Sequence, residues 1–287
     1  MRQNFTVAGP FGELNGVINL CEAEAKRRNV LVMAHGFRGS MEGGGRAAKL
    51  ADEIGESICS VVRFIFSWCT MLTNQIAELK AVLDFVRETL QPEKLFFLGR
   101  SFGGATCIVT ACEEERLAAA SFSGDAGIKA KPDGAEGNCC DNNYKNAMPA
   151  WYKRNTYCPD GMVLWSAPNS IKNTFIQVLG EEAFQAVLHG ETIVLDDERG
   201  HDEIPPVFVT DLLKYDIPAL LKRWQKSPLL IIHGEKDTTV TPDQARMNLE
   251  IAGGNKELHY MEGDNHHLDL RFKEAGELVK RWLKENS

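Results

Sequence analysis

The sequence predicts an α/β protein built on a doubly wound, mostly parallel sheet. Continuous apolar runs recur along the chain, beginning with Asn29–Ala34, and runs of this length are typical of strands buried on both faces of a sheet. Segments of helical periodicity alternate with these runs five times, which favours βα units over separate helical and sheet regions. The 287 residues are 44% hydrophobic and 25% charged, as in globular proteins that bury a substantial core.

The individual elements follow from these patterns in chain order. Strands are predicted at Phe5–Ala8, Leu14–Leu20, Asn29–Ala34, Ser60–Phe66, Lys94–Leu98, Met162–Trp165, Leu229–Ile232 and Glu257–Met261. Helices are predicted at Arg46–Ile54, Thr73–Leu90, Phe102–Ala111, Pro242–Ala252 and Leu268–Lys284.

Two stretches interrupt the alternation. Residues 114–160 are rich in Gly, Asn, Asp, Ala and Cys without a clear period, which indicates an insertion longer than an ordinary connection. Residues 170–226 carry two short helical patterns, Phe175–Leu188 and Val209–Lys222, around the acidic loop Asp196–Glu198. We therefore predict an α/β core over residues 1–169 and 227–287, interrupted by the insertion, and a small helical cap over residues 170–226.

Charge and hydropathy exclude several classes of protein. The net charge is −8 with no long basic block, so the chain lacks the electrostatic footprint of a nucleic-acid-binding protein. No apolar stretch approaches the roughly 18 residues that a membrane span needs. The first residues also lack the apolar region of a secretory signal, so we expect a cytoplasmic protein.

None of the eight cysteines forms a C-x-x-C pair, which argues against a zinc knuckle or a thioredoxin-like motif. Cysteines in apolar segments are expected to be buried: Cys59, Cys107 and Cys112. Three others flank a loop-rich region and would form a disulfide only in an oxidising compartment: Cys139, Cys140 and Cys158.

Ser101 is the strongest candidate for a nucleophile. The strand Lys94–Leu98 runs directly into Gly99-Arg100-Ser101-Phe102-Gly103, a G-x-S-x-G pattern, and a helix is predicted to follow. A serine on so sharp a strand-to-helix turn needs small neighbours two residues away on each side. The following helix directs its N-terminus at developing negative charge. The pattern in this context predicts a serine activated for catalysis.

Such a serine needs a general base and an acid that orients the base. Asp237 follows the strand Leu229–Ile232 and is the expected acid, whereas Asp243 fits a helix start better. After the last predicted strand, His266 and His267 are the two candidates for the base.

An oxyanion hole should come from two backbone N–H groups. The candidates are Phe102, directly after Ser101, and Phe37, in the loop after the strand Asn29–Ala34. His35 lies beside Gly36 at the end of that strand, where a structural hydrogen-bonding role is expected.

These motifs resemble those of the α/β-hydrolase superfamily, in which serine, acid and histidine follow one another in this chain order. They are most similar to small bacterial cinnamoyl (feruloyl) esterases and serine-aminopeptidase-like hydrolases, over roughly residues 12–112 and 161–286. The motifs are His35-Gly36-Phe37-x-Gly39, Gly99-x-Ser101-x-Gly103-Gly104, His233-Gly234-x-x-Asp237-x-x-Val240 and Gly263-x-x-His266.

The resemblance implies hydrolysis of a carboxylic ester through an acyl-serine intermediate, with no metal or organic cofactor. It favours His266 as the base, because the base of such hydrolases lies three residues after a glycine, here Gly263. His267 would then lie at the entry to the last helix or line the mouth of the pocket.

The sequence departs from the family pattern at two places. Many relatives carry an aspartate at the position of Ile65 and a longer Gly-rich loop after it, whereas Ser67-Trp68-Cys69 here leads almost directly into a helix. The 114–160 insertion is also additional. Both changes are expected near the pocket, so the resemblance says least about the substrate.

Three functions remain open from the sequence. The first is an esterase for a small or aromatic acyl group of the cinnamoyl or feruloyl type, and the second is a peptidase-like or acylglycerol-lipase-like hydrolase. The third, a non-catalytic binding protein, is disfavoured because all three triad residues are present. Apolar cap residues such as Phe175 and Phe184 are expected to line an acyl pocket or to form the cap's own core. The expected partner is a small-molecule ester, and the oligomeric state stays open between a monomer and a homodimer.

Overall fold

The computed structural model describes residues 1–67, 71–112, 157–225 and 227–287. Nearly all of the predicted insertion at 114–160 therefore lies outside the described residues, and so do Cys139 and Cys140.

The described strands form one large sheet and one small hairpin. The strands are β1 (Arg2–Gly9), β2 (Gly12–Asn19), β3 (Asn29–Ala34), β4 (Ser60–Phe64), β5 (Lys94–Arg100), β6 (Gly161–Trp165), β7 (Ile193–Asp197), β8 (Gly200–Ile204), β9 (Leu229–Gly234) and β10 (Lys256–Met261). The large sheet has the order β1-β2-β4-β3-β5-β6-β9-β10. Its β1–β2 and β2–β4 pairs are antiparallel and the remaining pairs are parallel. β7 and β8 pair with each other in antiparallel register.

Helices cover both faces of the large sheet. They are α1 (Arg46–Ser57), α2 (Leu72–Leu90), α3 (102–112 within the described residues), α4 (Ile171–Leu179), α5 (Glu181–Leu188), α6 (Pro206–Leu212), α7 (Ile217–Leu221), α8 (Pro242–Ile251) and α9 (Phe272–Asn286). In the part of the chain that the structure describes, no helix has the length and apolar character needed to cross a membrane.

Side chains that alternate along β3 show how the two layers form. Val30 and Val32 belong to an apolar cluster with α2 and α3, whereas Leu31 and Met33 belong to a second cluster with α1 and α9. Successive side chains of a strand point to opposite faces, so a continuous apolar run can serve two layers at once. The doubly wound α/β class predicted from the sequence is confirmed. The predicted burial of Cys59, Cys107 and Cys112 is confirmed as well.

The segment assigned to the cap differs from its predicted elements. The pattern Phe175–Leu188 is interrupted at Gly180, whose φ of 87° ends α4 and starts α5. The pattern Val209–Lys222 is likewise divided into α6 and α7, because the Asp216 side chain accepts a hydrogen bond from the Ala219 N–H and starts a new helix. The expected acidic loop Asp196–Glu198 is the turn end of the β7–β8 hairpin. The cap helices share the apolar cluster of the α2–α3 face.

Candidate active site

Ser101 lies on a sharp turn between β5 and α3. Its φ is +52°, a left-handed backbone value that residues other than glycine rarely adopt. The Ser101 N–H donates to the Trp165 carbonyl of β6 at 2.8 Å, and the Ser101 carbonyl accepts from the Gly104 N–H at 2.8 Å. The turn is thus held from both sides at the C-terminal edge of the sheet.

The turn also explains why glycine is needed two residues after the serine. A Cβ atom at Gly103 would lie 2.3 Å from the Ala34 carbonyl oxygen and 2.5 Å from that of His35. Both obstacles are backbone atoms at the end of β3, so neither can move aside as a flexible side chain could. Gly103 therefore allows α3 to start directly beside β3, next to the loop that carries Phe37.

Ser101, His266 and Asp237 form one chain of hydrogen bonds. His266 Nε2 lies 2.9 Å from Ser101 Oγ, and His266 Nδ1 lies 2.7 Å from Asp237 Oδ2. Because an ionised carboxylate only accepts, Nδ1 carries the ring proton and the bare Nε2 accepts from the serine hydroxyl. The three residues come from the ends of β5, β9 and β10.

Asp237 is 2% exposed and uses both carboxylate oxygens. Oδ1 accepts from the N–H groups of Thr239 and Val240, each at 2.9 Å, while Oδ2 accepts from His266. A second buried imidazole, that of His233, places Nε2 3.2 Å from Oδ2 and 2.7 Å from the Val240 carbonyl. Burial raises the pKa of Asp237, but hydrogen bonds from the two histidines outweigh burial and hold this pKa well below its usual range.

Asp243, the alternative acid, has surroundings unlike those of Asp237. It is in the first turn of α8, its side chain is 78% exposed and it pairs with Arg246. Asp243 therefore lies at a helix start, as expected from the sequence, but the N-cap of α8 is Thr241 and not Asp243. An acidic residue in the first turn suits the helix dipole.

Asp264 organises the loop that carries His266. Its buried carboxylate accepts hydrogen bonds from the N–H groups of Asn265, Leu270 and Arg271. Its carbonyl accepts from the Lys236 N–H at 2.7 Å, which links the histidine loop to the aspartate loop.

The last helix begins four residues later than the sequence predicted, at Phe272 instead of Leu268. The φ of Leu268 is +52°, which a helix cannot contain, and the Asp264 carboxylate takes the N–H groups of Leu270 and Arg271. His267 therefore lies in a loop and not at a helix entry.

The side chain of His267 contacts Arg100. Its Nδ1 lies 3.0 Å from an Arg100 guanidinium nitrogen, and its ring lies edge-on to that of His266 with centroids 5.5 Å apart. Burial and the charge of Arg100 lower the pKa of His267. The structure thus brings His266, and not its neighbour, into contact with the serine.

The loop after β3 places Phe37 beside Ser101, next to Phe102 at the start of α3. A methyl group at Gly36 would lie 3.0 Å from Ser101 Cβ, so this backbone lies against the nucleophile. His35 holds the loop: its Nδ1 donates to the Gly36 carbonyl and its Nε2 accepts from the Phe66 N–H. Burial lowers the pKa of His35, and its two hydrogen bonds agree with the structural role expected from the sequence.

An aromatic cluster covers this loop. The rings of Phe37, Phe102, Phe175 and Phe208 all contact one another, with centroids 5.2–6.4 Å apart. Phe175 from α4 and Phe208 from α6 thus pack on the two candidate oxyanion residues. Phe184, the other expected pocket residue, is fully buried in the same apolar cluster without a ring contact to these four.

Three buried polar residues near the site were not assigned a role from the sequence: Arg38, His233 and Asp264. His233 lies within the motif around Asp237, but its spacing alone does not reveal a contact with the carboxylate. Asp264 directly precedes a histidine loop, a position where a short carboxylate can accept several loop N–H groups. Arg38 gives no local signal, because its partners are distant in the sequence.

No protein-family model and no curated protein matches the sequence. Solved structures match it over nearly its whole length. Est1E from Butyrivibrio proteoclasticus has a TM-score of 0.69 at 14% identity, covering 99% of this chain and 98% of that one. A protein from Xanthomonas campestris, described as an α/β serine hydrolase without lid, has a TM-score of 0.55 at 18% identity, covering 98% and 94%. Monoacylglycerol lipase from Paleococcus ferrophilus has a TM-score of 0.59 at 19% identity, covering 100% and 99%. The chain, with its mostly parallel sheet of eight strands flanked by helices, has the α/β-hydrolase fold.

Proposed function

We propose that this protein is a serine hydrolase that cleaves carboxylic esters through an acyl-serine intermediate. The observation that carries the proposal is the chain of hydrogen bonds from Ser101 through His266 to Asp237, at 2.9 and 2.7 Å. A serine hydroxyl is a weak nucleophile at neutral pH, and a neutral imidazole aligned in this way is what activates it.

In the first half of the reaction, Ser101 Oγ attacks the ester carbonyl carbon and its proton passes to His266 Nε2. The new charge on His266 is stabilised by Asp237, which stays ionised because its pKa is far below neutrality. The carbonyl oxygen becomes an oxyanion, for which the backbone N–H groups of Phe37 and Phe102 are the donors we assign. Collapse of this intermediate breaks the ester C–O bond, and His266 gives its proton to the departing alcohol.

In the second half, water attacks the acyl-serine carbonyl carbon and His266 Nε2 accepts a proton from it. Collapse of the second tetrahedral intermediate releases the acid, and the proton returns from His266 to Ser101 Oγ. Every proton transfer uses the same nitrogen, and the buried Asp237 holds the ring in the tautomer that each step needs.

We propose a small or aromatic acyl group, of the cinnamoyl or feruloyl type, as the preferred substrate class. The support is the half-buried ring of Phe37 in the loop after β3, residues 35–39 (the oxyanion loop), because an aromatic ring beside the nucleophile can pack on a flat aromatic acyl group. The buried rings of Phe102, Phe175 and Phe208 pack behind it. Ferulic acid has been seen bound to Est1E, one of the structures this chain resembles. The second candidate is an acylglycerol, since a monoacylglycerol lipase shares the fold.

The activity is tested with a fluorophosphonate probe, which labels only activated serines. We expect labelling of the wild-type protein, with the adduct on the peptide that contains Ser101, and no labelling of Ser101→Ala. The matched control is Ser57→Ala at the exposed end of α1, which should be labelled like the wild type. Unlabelled wild-type protein, or a labelled Ser101→Ala, would contradict the proposal.

The substrate class is tested with a panel of esters. A short p-nitrophenyl ester, methyl ferulate, a long-chain monoacylglycerol and an aminoacyl anilide would be compared by kcat/KM. We expect the p-nitrophenyl ester and methyl ferulate to be cleaved with the highest kcat/KM, well ahead of the monoacylglycerol. A preference for the acylglycerol would move the protein to the second candidate, and cleavage of the anilide alone would indicate a peptidase-like enzyme.

A further inference from the structure

Arg38, directly after Phe37, is a buried cation that joins the oxyanion loop to the β7–β8 hairpin. Its side chain is 1% exposed, and each of its three guanidinium nitrogens contacts an acceptor on the hairpin. Nε lies 2.5 Å from Asp202 Oδ2, one terminal nitrogen lies 2.9 Å from Asp197 Oδ2, and the other donates to the Gly200 carbonyl at 2.8 Å.

The contact between Arg38 and Asp202 is a buried ion pair, unlike an ion pair at the surface. The Asp202 side chain is 1% exposed, so both partners have lost their water. Two guanidinium nitrogens donate hydrogen bonds to the hairpin and the third lies in an ion pair with Asp202, so the group has little rotational freedom, because its nitrogens lie in one rigid plane. The backbone of Arg38 has a φ of +51°. A residue other than glycine keeps this left-handed conformation only when the surrounding structure holds it there.

The contact lies one peptide unit from the candidate oxyanion donor. The conformation of Arg38 sets the direction in which the chain leaves Phe37, while His35 holds the other side of the loop through the Phe66 N–H. The Phe37 ring is held in addition by Phe175 and Phe208 of the cap segment. The loop thus receives its position from the residues that follow β4 on one side and from the hairpin and cap helices on the other.

We propose that Arg38 and Asp202 are positioning residues that let the β7–β8 hairpin aim the Phe37 N–H at the oxyanion. The inference rests on the proposed esterase function and deepens it: the hairpin becomes part of the catalytic machinery without touching the substrate. A donor that is misplaced by about 1 Å loses most of its effect on the transition state while substrate binding is little changed.

The test replaces both charges at once, because a single substitution would leave a buried charge without its partner. In Arg38→Met/Asp202→Leu we expect kcat on a p-nitrophenyl ester to fall by about 100-fold, the loss typical of one oxyanion donor. KM should change by less than about threefold, since ground-state binding does not use the hole. Inactivation by the fluorophosphonate probe should slow by a similar factor, because phosphonylation develops charge at the same place.

Two further variants separate positioning from simple stability. Arg38→Lys keeps the charge but cannot reach three acceptors, so we expect an intermediate loss of kcat with an almost unchanged melting temperature. His201→Gln is the matched control, because His201 precedes Asp202 on β8 but its side chain is 62% exposed. It should leave kcat at the wild-type value.

The outcomes distinguish failure of the positioning role from failure of the proposed esterase function. A folded double variant with kcat within threefold of the wild type would overturn the positioning role while leaving the esterase function intact. If the double variant does not fold, Arg38→Lys decides: unchanged kcat overturns the role, and a tenfold or larger loss at unchanged melting temperature supports it. A wild-type protein that the probe does not label would overturn the esterase function and this inference with it.

Discussion

The two carboxylate oxygens of Asp237 serve different purposes. Oδ1 closes a local turn by accepting the N–H groups of Thr239 and Val240, and Oδ2 orients His266. A single aspartate thus fixes its own loop and the ring of the proposed base. The alternative acid, Asp243, is exposed and pairs with Arg246 within its helix turn.

Substitution of these two aspartates by asparagine separates the roles. We expect Asp237→Asn to lower kcat by about 10⁴-fold, as an amide favours the wrong imidazole tautomer. Asp243→Asn is the matched control and should change kcat by less than about twofold, since it loses only an exposed ion pair. Ester hydrolysis by both purified variants measures this, and the reverse ranking would move the acid to the start of α8.

The lowered pKa of Asp237 also predicts how stability depends on pH. The folded-state pKa lies below the unfolded-state value of about 3.9, so the ionised group stabilises the fold at every pH above that value. This contribution is lost as the pH falls below about 4 and towards the folded-state pKa. Urea unfolding from pH 7 to 3 should show the wild-type advantage over Asp237→Asn shrinking only below about pH 4. An advantage that shrinks already between pH 7 and 5 would contradict the assignment.

Adjacent histidines allow a matched comparison at the base. We expect His266→Ala to abolish both turnover and probe labelling, because Ser101 then has no acceptor for its proton. His267→Ala loses a contact with Arg100 and should change KM or selectivity by no more than a few fold. Probe labelling of the two variants side by side measures this difference. An active His266→Ala together with an inactive His267→Ala would identify His267 as the base.

At the scale of elements, the turn between β5 and α3 depends on a close approach of two backbones. The space beside Gly103 is filled by carbonyl oxygens at the end of β3, and these carbonyls belong to the strand that leads into the oxyanion loop. Any displacement of α3 from β3 therefore changes the distance between the proposed nucleophile and its proposed oxyanion donors.

Gly103→Ala should show this dependence. We expect a loss of about 1–3 kcal/mol in the free energy of unfolding, because the added methyl group overlaps rigid backbone, and a loss of most esterase activity. Gly55→Ala is the matched control: the glycine is inside α1 and an added methyl group would lie 3.5 Å from its nearest neighbour. That variant should be unchanged or more stable by up to about 1 kcal/mol. Equal effects of the two substitutions in urea unfolding would contradict the steric argument.

At the scale of the whole molecule, the site is assembled where the loops after β3, β5, β9 and β10 meet. Parallel strands bring their C-terminal ends to one edge of the sheet, and residues distant in the chain meet there. The segment between β6 and β9 packs over the same edge through Phe175 and Phe208.

Two buried phenylalanines of this segment test whether it shapes the acyl pocket. We expect Phe175→Ala to raise kcat/KM for bulky acyl groups relative to acetyl, because the ring contacts both Phe37 and Phe102 and its removal opens space beside them. Phe184→Ala should cost about 3–5 kcal/mol of stability without changing this ratio, since its ring does not contact that pair. The ester panel and thermal unfolding measure both, and a selectivity change confined to Phe184→Ala would reverse the assignment.

The predicted elements agree well with the structure where local pattern decides the outcome. Strand runs such as Asn29–Ala34 and the turn around Ser101 follow from apolar periodicity and from glycine spacing, which are properties of a few neighbouring residues. The predictions differ where capping by a nearby side chain competes with periodicity. The last helix starts at Phe272 because Asp264 takes the preceding N–H groups, and the cap pattern Val209–Lys222 divides where Asp216 starts α7.

The sequence by itself determined the α/β class, the order of the elements of the large sheet, and the residues proposed as nucleophile, acid and candidate bases, because local periodicity or a short motif marks each of them. Only the tertiary structure decided which atoms meet: His266 rather than His267 at Ser101, His233 at Asp237, and Arg38 at Asp202. These contacts join segments far apart in the chain. These contacts depend on the path of the whole backbone and on which buried charged groups lie next to each other. A short motif contains neither kind of information.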